Sequence, residues 1–229
     1  MKKRHLLVGH SHVEAIRAAL TPDEAEWFHV VNLTTDPILD GASPEAKQKL
    51  IDRFGRVDVL CFIISGNFHN VLSLINHPEP FWLGAGPKNG RFIPVSTMRR
   101  VVEENLNSNL VITKSLLEKF PAEIKIMIDA PPPLEDTEHI MKHPGYFTDK
   151  VHLGFSPEYL RLTIYALQCE VTRRQAEDLG VAWIPAPDAS KNEKGLLLNT
   201  YFTHDPTHGN AAYGRLVLNA ISARQGEKL

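Results

Sequence analysis

The stretch Val57-Asp58-Val59-Leu60-Cys61-Phe62-Ile63-Ile64 is nearly all apolar and runs straight into Ser65-Gly66-Asn67-Phe68. An unbroken apolar run of this length, closed by a turn signal, reads as a strand covered on both faces. That is the signature of a central strand in a parallel sheet. Working outward, Leu6-Leu7-Val8, closed by Gly9, reads as a second buried strand. Val13, Ile16 and Leu20 then recur at helical spacing. Trp27 to Leu33 reads as a strand, and Ser43-Pro44-Glu45 as a helix start that ends at Gly55. Beyond the central run, a helix is predicted over Thr97–Phe120 and a strand over Ile124–Ile128, stopped by Ala130-Pro131-Pro132-Pro133. A helix opens at Ser156-Pro157-Glu158 and closes at Gly180, a strand covers Val181–Ile184, and a last helix covers Gly209–Arg224.

Strands alternating with helices imply right-handed crossovers and a doubly wound α/β sheet of about five parallel strands. Functional groups on such sheets gather beyond the carboxyl ends of the strands. One domain is expected over residues 1–229, with irregular inserts near 76–94 and 134–155. The second insert carries His139, His143 and His152.

The chain has 229 residues, 43% of them hydrophobic, and a formal net charge of −2, so no basic footprint for nucleic acid is expected. Cys61 and Cys169 sit in strand-like and helix-like runs and read as core residues, not as a disulfide. The apolar run after Lys2-Lys3-Arg4 stops at Gly9-His10, too short for a signal segment or a membrane span. A cytoplasmic location without membrane partners is the expectation.

Three segments carry groups that do chemistry. Ser11 in Gly9-His10-Ser11-His12 follows the first strand and stands at a helix start, where free N–H groups favour an anion. The same residues, Ser11-x-x-Glu14, also match a helix-capping box. Asn67 follows the central strand, where its amide would donate to a developing oxyanion or simply make a turn. Asp205-Pro206-Thr207-His208 precedes the last helix. Its histidine would take a proton from a serine while its carboxylate fixes the imidazole.

Together these motifs resemble the SGNH hydrolase superfamily, also called GDSL-like esterases. Gly9-His10-Ser11 stands for that family's Gly-Asp-Ser, Ser65-Gly66-Asn67 for its Gly-x-Asn, and Asp205-Pro206-Thr207-His208 for its Asp-x-x-His. His208-Gly209-Asn210-Ala211-Ala212-Tyr213-Gly214 is similar to its final loop and helix. The resemblance implies a flavodoxin-like three-layer α/β/α sandwich. It also implies Ser11 as nucleophile, His208 as general base and Asp205 as its orienting partner. The oxyanion hole it implies is made by the Ser11 amide, Asn67 and a glycine after the second strand, here Gly41. His10 in place of the motif's aspartate, and Ser65 and Phe68 beside Asn67, depart from the family pattern.

The expected activity is cleavage of a short-chain or acetyl ester, on a small molecule or carbohydrate, with no cofactor and no metal. His10, His12, Phe68 and His204 flank the proposed site and are expected to contact substrate. Phe81, Trp82, Phe92 and Tyr146 either wall it or pack the inserts down. Three other readings use the same residues: acyl transfer to a sugar, a catalytically silent carbohydrate- or acid-binding module, and a metallohydrolase built on the His10, His12, His204 and His208 cluster.

Overall fold

The computed structural model describes residues 2–36, 44–88 and 90–225. In chain order these form β1 (His5–Gly9), α1 (Val13–Ala19), α2 (Pro22–Ala25), β2 (Phe28–Asn32), α3 (Pro44–Phe54) and β3 (Val59–Ile63). There follow α4 (Phe68–Ser73), β4 (Phe81–Leu83), β5 (Arg91–Ile93), α5 (Val95–Lys119) and β6 (Ile124–Ile128). The chain closes with α6 (Thr137–Lys142), α7 (Glu158–Asp178), β7 (Ala182–Ile184) and α8 (Ala211–Gln225).

The main sheet is five-stranded and parallel, in the order β2-β1-β3-β6-β7. Taken in chain order its strands run 2-1-3-4-5, the flavodoxin-like winding of the expected three-layer sandwich. The central run earns its place by covering both faces. Val59, Cys61 and Ile63 pack with Ile16 of α1 and with Val217, Leu218 and Ile221 of α8. Leu60 and Phe62 face Leu116 of α5 with Leu6 and Val8 of β1. All five residues of β3 are buried, and Val59, Leu60, Phe62 and Ile63 each contribute roughly 1.5–3 kcal/mol of transfer free energy.

The helices follow the patterning that predicts them. Met98, Val102, Leu106 and Leu116 bury one face of α5. Gly55 and Gly180 end α3 and α7 at φ of +60° and +64°, a backbone region that favours glycine. Ser43, the expected cap of α3, lies outside the described residues, as does Gly41.

The inserts are more ordered than their composition suggests. Within 76–94, β4 and β5 pair in parallel, and Phe81, Leu83 and Ile93 pack against α5 and α7. Strands of three residues are too short to show a period, so only turn-like composition was visible. Within 134–155, α6 and two single 3-10 turns, Gly145–Phe147 and Val151–Leu153, replace the expected irregular chain. Among the described residues no helix is long and apolar enough to cross a membrane.

Candidate active site

The winding order reverses between β1 and β3, and the chemistry-bearing residues sit at the carboxyl ends of these two strands. Gly9 ends β1 so close to β3 that a Cβ there would fall 2.2 Å from the Ile63 carbonyl oxygen. The tight turn that follows lifts Ser11 to the sheet rim. The Glu14 amide donates to the Ser11 carbonyl at 3.1 Å, leaving the Ser11 side chain free of the helix. Ser11 is therefore not the cap of α1, and Glu14 does not close a capping box with it. Glu14 instead accepts from Arg17 and from Asn32 Nδ2. The capping box of this region is Thr21 with Glu24, at α2.

Ser11 Oγ lies 2.6 Å from His208 Nε2, and His208 Nδ1 lies 2.6 Å from Asp205 Oδ1. Asp205 Oδ1 also accepts the Thr207 amide at 2.8 Å and the Thr207 hydroxyl at 2.7 Å. Burial alone would raise the Asp205 pKa. The hydrogen bonds from His208 and Thr207 outweigh it and hold the carboxyl at about 2. An ionised carboxylate only accepts, so the proton between it and the ring belongs to Nδ1. Nε2 is then left as the acceptor for the Ser11 hydroxyl.

Asn67 immediately precedes α4, where its side chain caps nothing. Its Nδ2 donates to Thr207 Oγ1 at 3.0 Å, across 140 positions of chain. Thr207 is 5% exposed. It occupies a variable place in the Asp-x-x-His motif, and no spacing rule marks it in the sequence.

Of the four expected substrate contacts, His204 faces the opening beside Ser11 and His208. That cavity holds about 420 Å³ and is walled by Ser11, Ala15, Ala18, His204, His208 and Ala211, among others. The other three do not line that cavity. His10 Nε2 donates to Asn109 Oδ1 of α5 at 3.3 Å, and Asn109 Nδ2 in turn donates to the Ile64 carbonyl at 2.6 Å. Phe68 packs against Val102, Leu106 and Val171. His12 is 3% exposed, and its ring centroid lies 4.9 Å from that of His208. Burial, then the charges of His208 and His69, drive its pKa well below the ordinary histidine value, so the ring is neutral.

The rival metallohydrolase reading called for His10, His12, His204 and His208 to gather as ligands. Among the described residues no three His, Cys, Asp or Glu side chains come together as ligands for an ion. In the first insert Phe81 packs against α5 and α7, while Phe92 is half exposed with its ring 4.5 Å from that of Trp82. Tyr146 is 79% exposed, on the turn whose Gly145 abuts Pro206 and Asp205.

No protein-family model matches the sequence, and no curated protein matches it. Solved structures do. A GDSL-like lipase of Bacteroides thetaiotaomicron matches 97% of this chain and 87% of its own, at 12% identity and a TM-score of 0.50. A protein of Bacteroides fragilis assigned as an acylhydrolase matches 98% and 86%, at 10% identity and 0.53. The periplasmic domain of a lipopolysaccharide acetyltransferase from Salmonella Paratyphi A matches 99% and 85%, at 13% identity and 0.53. The chain has the SGNH, or GDSL-like, hydrolase fold. On this SGNH frame, Ser11 follows β1, Asn67 follows β3, and Asp205 and His208 lie in the loop before α8.

Proposed function

We propose that this protein is a serine hydrolase of acyl esters. The observation that carries the reading is the pair of 2.6 Å contacts joining Ser11, His208 and Asp205 across 197 positions of chain. In this mechanism His208 Nε2 takes the Ser11 proton as Oγ attacks the ester carbonyl. The resulting imidazolium is stabilised by Asp205 and gives its proton to the departing alcohol. Water, deprotonated by the same Nε2, then attacks the acyl-serine. The free acid leaves as the proton returns to Ser11. Negative charge on the carbonyl oxygen is met by the Ser11 amide, which donates to no carbonyl among the described residues, and by the Asn67 amide.

The cavity beside Ser11 is of the size that takes a small-molecule or sugar ester. Tyr146, exposed on the turn whose Gly145 abuts Asp205 and Pro206, would stack on such a substrate. Acyl transfer to a hydroxyl acceptor would use the same acyl-enzyme, and one structural neighbour is an acetyltransferase domain. Product analysis with and without a sugar acceptor separates the two outcomes.

Turnover of p-nitrophenyl acetate and butyrate tests the reading, using the wild type, Ser11→Ala and His208→Ala. Both variants should lose about 10³-fold or more in kcat, and Ser11→Ala should lose labelling by a fluorophosphonate. Wild-type rates in Ser11→Ala would reject the serine mechanism.

A further inference from the structure

We propose that Thr207 is a positioning residue that decides which end of the Asn67 amide is offered to the reacting carbonyl oxygen, an assignment that rests on the serine-hydrolase reading above. The argument is one of hydrogen-bond polarity. Asp205 is an acceptor, and the Thr207 hydroxyl has a single proton, which it gives to Asp205 Oδ1 at 2.7 Å. What Thr207 Oγ1 then presents to Asn67, 3.0 Å away, is lone pairs. Only the amide nitrogen can meet them. The chain of donors therefore runs in one direction, from Asn67 Nδ2 to Thr207 Oγ1 to Asp205 Oδ1. The negative charge at its end fixes the sense of every link.

The consequence lies at the second N–H of Asn67. With one N–H committed to Thr207, the other remains for an oxyanion. In the opposite flip a carbonyl would face the developing negative charge and oppose it. The far end of the side chain is consistent with this assignment. Asn67 Oδ1 is buried, as are both ring nitrogens of the neutral His12, and the Asn67 carbonyl acts on the His12 ring as a hydrogen-bond acceptor would. No hydrogen bond between the two closes to full geometry. The defined contact on Asn67 is thus the one to Thr207.

The test is a double-mutant cycle between Thr207→Val, which keeps the shape and removes the hydroxyl, and Asn67→Ala. It is read by kcat and KM on p-nitrophenyl butyrate and by the rate of Ser11 labelling with a fluorophosphonate. Asn67→Ala should lower kcat about 100-fold, the usual scale for one oxyanion donor. Thr207→Val should lower it about 10- to 100-fold with KM changed less than about threefold, and Thr207→Ser should return it to within about threefold of wild type. In the Asn67→Ala background, Thr207→Val should cost less than about a further threefold. The proposal is overturned if Thr207→Val keeps near wild-type kcat, if Asn67→Ala is as fast as wild type, or if Thr207→Val costs the same factor in both backgrounds. Should the valine variant fail to fold, Thr207→Ala enters the same cycle. Turnover surviving in Ser11→Ala would instead sink the hydrolase reading, so the two failures are distinct.

Discussion

Two aspartates in this molecule, one half-buried and one buried, are driven in opposite directions by their surroundings. Asp205 receives three hydrogen bonds on one oxygen and stays ionised down to about pH 2. Asp129, directly after β6, is 2% exposed, and burial pushes it up to about 7 despite the opposing influence of Trp183, Cys169 and Lys191. The sign of its contribution to stability follows. Below about pH 4 the carboxyl is protonated in both the folded and the unfolded chain. Between about 4 and 7 the unfolded chain releases the proton while the folded one keeps it, so stability falls as pH rises, by about 1.4 kcal/mol per unit. Above 7 the loss is complete. Asp129→Asn removes that slope. Urea melts at pH 4.5 and 7.5 should show the variant gaining on wild type by roughly 3 kcal/mol across the interval. An unchanged difference between the two pH values would show that Asp129 is ionised in the fold.

At the scale of elements, the crossing of α1 and α8 brings the two halves of the site together. Gly214 is the contact point. A Cβ there would lie 2.0 Å from the Ala15 carbonyl oxygen and 2.8 Å from the Ile16 nitrogen, both backbone atoms that cannot swing away. Gly214→Ala must therefore push α8 off α1, and the loop bearing His208 moves with it. The expected result is a melting temperature lower by several degrees and a kcat lower by more than about tenfold. Gly180→Ala is the control: its φ of +64° makes alanine cost about 1–2 kcal/mol, but it has open space around it and should leave kcat unchanged. Equal kcat in the two variants would separate the helix crossing from the site. The existence of α1 and α8 was legible in the sequence from Val13, Ile16 and the run after Gly209. The closeness of their approach was not, because the neighbour that demands glycine at 214 lies about 200 positions away. The side-chain role of Ser11 was ambiguous for the same reason. Ser-x-x-Glu is a cap by local rules, and only the distant His208 and the competing partners of Glu14 decide otherwise.

Across the whole molecule, a parallel sheet covered on both faces was legible because Leu6-Leu7-Val8 and Val59–Ile63 are apolar throughout, and its flavodoxin-like winding was implied by the family resemblance. That winding also indicated the rim at which Ser11, Asn67 and His208 meet. The different surroundings of His10 and His12 were not legible, nor was the bridging hydroxyl of Thr207. Each depends on partners fixed only by packing: Asn109 for His10, His208 for His12 and Asn67 for Thr207. The same packing implies a cooperative site. Tyr213, Val217, Leu218 and Ile221 of α8 are buried in one cluster with Leu7, Val59 and Ile126 of the central strands. A loop held only by surface contacts would open before the core. Here the helix that follows the His208 loop is part of the core, so separating the loop from Ser11 requires disrupting β1 and β3 as well. In a urea titration, loss of esterase activity and loss of far-UV circular dichroism should share one midpoint, with the fluorophosphonate-labelled fraction following the same curve. An activity midpoint well below the dichroism midpoint would show instead that α8 and its loop unfold as a separate, weaker unit.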